Sequence, residues 1–506
     1  MGNLSDIASS GRAALTIDVP PHWADHHFQG RAMLPAVEAM QLLAHWVRRF
    51  RPGLDVRCMG AAAFDRFLEL PPTGGRIEAW CEMQDLADGR LRAALLTKTQ
   101  SKSARMTRAK VHAQLDFYPL PDIPSLPALD LASALEGGCF SVDPRRLYEE
   151  LVPFGPGFQN ICRPLRLTAE GALAVIQAPD GADGQTDLPL GSPFVLDAAF
   201  HAACVWSQRF AGVTAFPVGF DQRLLVAPTR PGDIYVSRIF PVQTDSAMLT
   251  FDIWIVDTDG RLFERLKGVR MRDVSGGKLR PPDWIRCQDA AGSLGRIAGH
   301  CAAAALIERV TLMHFGGNCL AELERRRTVQ MGNKRRIDYL SARLACKRLS
   351  RQLSGNDRHT PAQEIVTLAA DGVRPRCPVT NGRAYYCSVS HDRRFAVAVA
   401  GEQPIGVDVE TLDDRILKLL HMFMDDDEQE IVRASALGPV GAAVRVWTTK
   451  EAVAKMLNIH LADAWARTQV LTIDAEQSCV RISDGPAATV VHQPVEDHLI
   501  TLIYAI

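Results

Sequence analysis

The sequence predicts an α+β protein of two domains, each internally doubled, and three observations carry that prediction. The chain has 506 residues, whereas single hydrophobic cores stop growing beyond about 250–300 residues. Before residue 275 a polar turn, one long apolar helix and several strand-like runs occur twice in the same order. After residue 290 the mixture of helices and strands changes. Helices do not alternate regularly with strands, so a doubled unit of a helix wrapped by a sheet fits the first part better than a parallel α/β sheet.

In the first copy the apolar helix spans 35–50, and runs at 76–83, 91–99 and 109–117 read as strands. In the second copy the helix spans 196–210, followed by strands over 234–240, 249–256 and 261–272. The later region predicts helices over 293–312 and 334–349, strands over 385–390 and 395–400, and a further strand-helix set from Gly406 onward. Four prolines between Tyr118 and Pro127 separate the two copies, and the Gly-Pro-rich stretch from Ser275 to Pro282 marks the domain boundary. The expected organisation is a first domain over 1–275 with halves of about 1–120 and 140–275, a linker over 276–290, and a second domain over 291–506 with lobes of about 291–400 and 401–506.

With 47% hydrophobic and 23% charged residues the composition is that of a globular protein, and no apolar run approaches the roughly 20 residues of a membrane-spanning helix. The first ten residues lack the layout of a secretory signal, so a cytoplasmic location is expected. Twelve cysteines without a Cys-x-x-Cys pair argue for reduced, mostly buried thiols. A net charge of −1 provides no general attraction to nucleic acid. Arg325–Arg327 and Lys334–Arg336 nevertheless concentrate six positive charges, a pattern suited to phosphate groups as well as to a solvated helix face.

His26 stands four residues before Gly30 and nine before Pro35, which opens the first helix. Such a turn presents backbone N–H groups to a carbonyl oxygen with an imidazole beside it. In the second copy Asp197 and His201 lie one turn apart on one helix face. Eliminating water from a β-hydroxyacyl thioester requires a base for the α proton and an acid for the departing hydroxyl. The helix dipole favours an ionised Asp197 and burial favours the acid form.

Taken together, His26-xxx-Gly30-xxxx-Pro35, Phe154-Gly155-Pro156-Gly157-Phe158-Gln159 and Leu196-Asp197-xxx-His201 resemble the dehydratase domain of polyketide synthases over roughly residues 15–275. The resemblance implies a double hotdog fold, with His26 as base and Asp197 as acid. Gly30, Pro35, Gly155 and His201 would position the substrate. Ala36 departs from the family, which usually has glycine there. Related cyclising, product-template-like domains share the dyad and are the alternative for this half, as is a non-catalytic module that docks a carrier.

Asp408 and Glu410 alternate along a strand-like run, and Trp447, Glu451 and Lys455 share one helix stripe. Three carboxylates from two elements suit magnesium shared with a diphosphate, and Lys455 suits a phosphate or leaving-group oxygen. Gly406-Val407-Asp408-Val409-Glu410 and Trp447-Thr448-Thr449-Lys450-Glu451-Ala452-Val453-Ala454-Lys455 are similar to the two hallmark motifs of broad-specificity 4′-phosphopantetheinyl transferases. The run Arg335–Lys347 resembles that family's helix for nucleotide phosphates, and Ser388-Val389-Ser390-His391 its serine-histidine turn.

This resemblance implies magnesium at Asp408, Glu410 and Glu451, with Glu451 also accepting the serine proton. It implies Arg336, Arg343, Lys347, Ser390, His391 and Lys450 as contacts to coenzyme A. Asp425–Glu428 is expected to be a solvated loop rather than a second metal site. Both resemblances imply an acyl carrier protein as partner, acting in trans or encoded upstream, and the first also implies possible pairing into a homodimer. Dehydratase followed by transferase resembles the end of iterative, enediyne-type polyketide synthases.

Overall fold

A computed structural model of the chain describes residues 10–72, 74–86, 88–100, 107–119, 135–180, 188–245, 247–287, 293–311, 319–355, 360–369, 374–379, 382–483, 485 and 487–505. Most of the proline run between the copies, and residues 288–290 of the expected linker, lie outside them. The contacts divide the chain into two units: Met1–Ala128 with Phe140–Gln288, and Leu129–Cys139 with Asp289–Ile506.

The first unit holds one twelve-stranded antiparallel sheet and two long helices. Its elements are β1 (Ser10–Val19), α1 (Ala36–Phe50), β2 (Cys58–Ala63), β3 (Gly75–Asp85), β4 (Leu91–Gln100), β5 (Thr107–Phe117), β6 (Phe140–Val142), β7 (Leu165–Thr168), β8 (Gly171–Gln177), α2 (Pro193–Phe210), β9 (Phe216–Leu225), β10 (Ile234–Asp245), β11 (Met248–Asp257) and β12 (Leu262–Arg272). The strand order β1-β3-β4-β5-β2-β9-β12-β11-β10-β8-β7-β6 reads alike outward from the central β2–β9 pair, which is the doubling expected from the sequence. Each half wraps its sheet around one helix. Val37, Met40, Leu43, Ala44 and Val47 of α1, and fifteen of the eighteen residues of α2, are buried in the shared core.

Proline at the first turn of α2, and Pro35 just before α1, fit because the missing N–H is one the helix start leaves unpaired anyway. The fold is the double hotdog. Trp284 and Ile285, within the expected linker, pack with this unit: the indole stands by Phe140 and its Nε1 donates to Glu150 at 2.6 Å.

The second unit has two lobes. The first contains β13 (Ala303–Glu308), α3 (Glu322–Thr328), α4 (Asn333–Leu353), β14 (Tyr386–His391) and β15 (Phe395–Gly401), with β15 between β13 and β14. The second contains β16 (Ile405–Thr411), α5 (Asp426–Ala434), α6 (Gly438–Leu457), β17 (Thr468–Ile473), β18 (Gln477–Ile482), β19 (Ala487–Val495) and β20 (His498–Tyr504), in the sheet order β16-β20-β19-β18-β17. Leu135–Cys139 complete the first lobe. The Gly137 N–H donates to Leu306 O at 2.8 Å, the Cys139 N–H donates to Glu308 at 2.8 Å, and Glu136 pairs with Arg348.

Two local expectations are corrected. The helix predicted over 293–312 is only a short turn, Gly295–Ala298, followed by strand β13. Alanine-rich composition favours helix, but pairing with β15 and burial of Ala305, Leu306 and Ile307 under α4 and the neighbouring sheet outweigh it. Asp425–Glu428 is a helix start rather than a loop. Asp425 caps α5, accepting from the Glu428 N–H at 2.8 Å, while the Glu428 carboxylate is fully buried against Lys450.

Candidate active sites

In the first unit, a short helical turn, Pro21–Asp25, ends at His26, and α2 presents Asp197 and His201 from the other half. These side chains share a cavity of ≈ 70 Å³ whose wall is otherwise mainly apolar, including Leu34, Phe64, Phe154, Phe200 and Phe216. His26 Nδ1 stands 3.0 Å from the Met33 carbonyl, which only accepts, so Nδ1 carries the proton and Nε2 is left as a base. Burial lowers the His26 pKa below its ordinary 6.5, with the charge of Asp197 pulling the other way. His201 Nε2 and Asp197 Oδ2 are 2.9 Å apart, yet neither buried atom completes an aligned hydrogen bond. Both are available to a ligand.

The glycine-rich motif works from behind. The N–H groups of Gly155 and Gly157 donate to Asp25 O and Asp25 Oδ2, each at 2.8 Å, fixing the residue before His26. A Cβ on Gly155 would stand 2.4 Å from Asp25 Oδ1, so glycine at this position lets the motif close against the residue before His26. Phe154 stacks on the His26 ring at 4.5 Å and meets His201 at 4.9 Å, which spaces the two imidazoles. Gly30 supplies a left-handed turn, φ 77°, and Pro35 caps α1. Tyr148 was missed from sequence: its hydroxyl accepts from the Ile161 N–H at 3.0 Å and lies 3.5 Å from His201 Nδ1. Nothing local in Leu147-Tyr148-Glu149 signals that role.

In the second unit, β16 carries Asp408 and Glu410 beside the stripe of α6. Lys455 Nζ donates to Asp408 Oδ1 at 2.6 Å and to Ser390 Oγ at 2.8 Å, while Ser390 Oγ donates to Asp408 Oδ1 at 2.7 Å. Trp447 Nε1 donates to Glu410 at 3.3 Å. Burial and then the charge of Asp408 push the Glu410 carboxyl up to about 7, and the same two causes raise Glu451. Asp408 Oδ2 is buried without a hydrogen-bond partner. Among the described residues no three His, Cys, Asp or Glu side chains close into a coordination shell. An unpartnered oxygen and mutually repelling carboxylates are nonetheless the donor set a hard divalent cation fits.

Beside them opens a cleft of ≈ 580 Å³ lined by Arg309, Lys334, Asp338, His391, Arg393, Arg415 and Trp447, among others. Burial lowers the His391 pKa, and Asp338 opposes the shift. Of the expected coenzyme A contacts, His391 lies in this cleft, whereas Ser390 is buried against Asp408. Arg336 is exposed and donates to Asn333 at 2.7 Å.

Three expectations are corrected by burial. Lys347 is fully buried against Glu324 at 2.7 Å and donates to Ala362 O and Ile365 O. Arg343 donates to Thr367 O at 2.6 Å. Lys450 pairs with Glu428 at 2.7 Å and donates to Phe423 O at 2.6 Å. Their charges hold the fold together. Lys334 belongs to the basic cluster expected from the sequence and Asp338 lies one turn further along α4, whereas Arg309 reaches the cleft only through the pairing of β13.

Residues 127–281 match the family model "polyketide synthase dehydratase N-terminal domain", and residues 404–503 match the 4′-phosphopantetheinyl transferase superfamily. Enterobactin synthase component D of Salmonella typhimurium is 24% identical over 185 residues, 35% of this chain and 74% of that protein. Among solved structures, the dehydratase domain from the CurF module of curacin polyketide synthase shows 19% identity and a TM-score of 0.44, covering 53% of this chain and 96% of that one. The dehydratase domain of a mycocerosic acid synthase-like polyketide synthase shows 20% identity and a TM-score of 0.43, covering 53% and 92%. No helix among the described residues is long and apolar enough to cross a membrane. One part of the chain, residues 127–281, is thus similar to the polyketide synthase dehydratase family, and another, residues 404–503, to the 4′-phosphopantetheinyl transferase superfamily.

Proposed function

We propose that the first unit dehydrates β-hydroxyacyl thioesters on an acyl carrier protein and that the second transfers 4′-phosphopantetheine from coenzyme A to a carrier serine. The observation that carries the reading is the pairing of unlike groups at each site: a neutral buried imidazole faces a carboxyl in an apolar cavity, and a crowded carboxylate cluster adjoins a cationic cleft.

In the cavity, His26 Nε2 takes the α proton and Asp197 protonates the departing hydroxyl, so that water leaves and a carbon–carbon double bond forms. Apolar walls exclude bulk water and accept the acyl chain. His201 lies one helical turn on, its Nε2 2.9 Å from Asp197 Oδ2.

In the second unit, Arg309, Lys334, His391 and Arg393 bind the phosphates of coenzyme A. Asp408, Glu410 and Glu451 would hold magnesium, which supplies charge neutralisation on the diphosphate. Glu451, its pKa raised by burial, accepts the proton of the carrier serine. The serine oxygen attacks the β-phosphorus, the diphosphate bridge breaks, and adenosine 3′,5′-bisphosphate leaves with Lys455 beside it.

His26→Ala is expected to abolish enoyl-carrier formation while carrier loading continues, and Glu451→Gln to do the reverse. Each activity surviving its own substitution would refute the assignment.

A further inference from the structure

Asp392 follows His391 in the turn between β14 and β15, and it lines the coenzyme A cleft without offering that cleft an unpaired oxygen. Its Oδ1 accepts from the N–H groups of Arg394 at 2.8 Å and Phe395 at 2.7 Å. Its Oδ2 faces His498 Nε2 at 2.7 Å and accepts from Thr411 Oγ1 at 3.1 Å. His498 is 4% exposed, and its other nitrogen lies 2.8 Å from Asp497. Thr411 and His498 are paired across β16 and β20 of the second lobe, whereas Asp392 belongs to the first. The carboxylate therefore ties the lobes together.

What Asp392 holds is the cationic wall of the cleft. His391 and Arg393 flank it in sequence, and its backbone carbonyl accepts from Arg309 Nη1. The same guanidinium meets Asp338 at 2.6 Å. Two cleft-lining guanidinium groups and an imidazole are thus anchored on one residue, whose own anchor is His498. Thr411 adjoins Glu410, so the same tie sets the spacing between the phosphate-binding wall and the carboxylate strand. A network with every oxygen satisfied fixes one geometry, and removing a member loosens it.

We propose that Asp392 and His498 are positioning residues for coenzyme A: their carboxylate–imidazole clasp across the lobes holds Arg309, His391 and Arg393 at the spacing its phosphates require. The inference rests on the transferase reading. Removing the clasp leaves Arg394 bridging Glu308 and Glu496 at 3.0 and 2.6 Å, so the lobes stay joined but the wall shifts.

The test compares His498→Leu with His498→Gln in the full chain, at saturating carrier and magnesium. Gln retains a donor for Asp392. His498→Leu is expected to raise the KM for coenzyme A about tenfold with kcat within about twofold, because an interaction that binds ground and transition state alike is lost. The KM for carrier should not move, and His498→Gln should restore most of the affinity. An unchanged KM for coenzyme A in His498→Leu overturns the proposal. So does a loss shared equally by both substrates that Gln fails to restore. If the unaltered chain loads no carrier, the transferase reading falls alone. Calorimetry with coenzyme A then decides the clasp: His498→Leu must weaken binding by the same factor, and an equal Kd overturns it.

Discussion

Gly406→Ala tests how the two carboxylate-bearing elements are held together. Gly406 opens the motif on β16, and a Cβ there would stand 1.9 Å from the Ala452 carbonyl oxygen and 2.9 Å from Met456 N on α6. Both neighbours are backbone, so no side chain can rotate away. Restoring ordinary contact requires the strand and helix to separate by about 1.5 Å, an overpacking strain of roughly 1–3 kcal/mol. For a unit of this size, a cost of about 2 kcal/mol lowers the thermal midpoint by about 4–8 °C. The catalytic effect is larger, because Asp408 and Glu410 move relative to Glu451 and Lys455, and a misplacement of about 1 Å costs roughly a hundredfold in rate. Carrier loading measured against magnesium concentration, alongside thermal unfolding, reads both effects. A variant that loads carrier at the unaltered rate, with the same magnesium dependence and midpoint, would refute this account of the motif glycine.

Lys450→Met leaves Glu428 charged, fully buried and without its ion pair, which costs about 3–5 kcal/mol. Thermal unfolding should show the loss, whereas a cofactor ligand would raise the KM for coenzyme A and leave the midpoint alone. Because burial holds His26 below 6.5, the imidazole is neutral at pH 7, and the dehydration rate should persist until the pH falls below 6.5. The same sign applies to stability: the unfolded chain takes up the proton first, so His26 contributes above 6.5 and its contribution is lost as the pH drops through the folded value. An acid limb of the pH–rate profile centred above 6.5 contradicts the burial argument.

Much of this was legible in the sequence because periodicity and motif spacing are local properties. The doubling of the first unit followed from two apolar helices, each trailed by alternating strands, and β3, β10 and β11 lie where alternation placed them. His26 and Asp197 were legible because each sits at a marked position beside a proline-started helix. Basic residues in a motif were ambiguous, since Arg343, Lys347 and Lys450 look identical in sequence whether they face a phosphate or a buried glutamate. Only tertiary contact with Glu324, Thr367 and Glu428 distinguishes the two. The alanine run at 302–305 misled for a related reason: small side chains favour helix in isolation and close sheet packing in a core. Residues assembled from distant strands, such as Arg309, Asp392 and His498, carry no sequence signal at all.

The proposed chemistry places two complementary carrier-directed sites in one chain. Intact-mass analysis of a candidate carrier incubated with the full chain, coenzyme A and magnesium tests the less familiar half directly. The carrier is expected to gain one phosphopantetheine arm on its serine, and omission of magnesium or the substitution Glu451→Gln is expected to prevent the gain. A gain that persists with Glu451→Gln, or none with any carrier, would contradict the proposed chemistry.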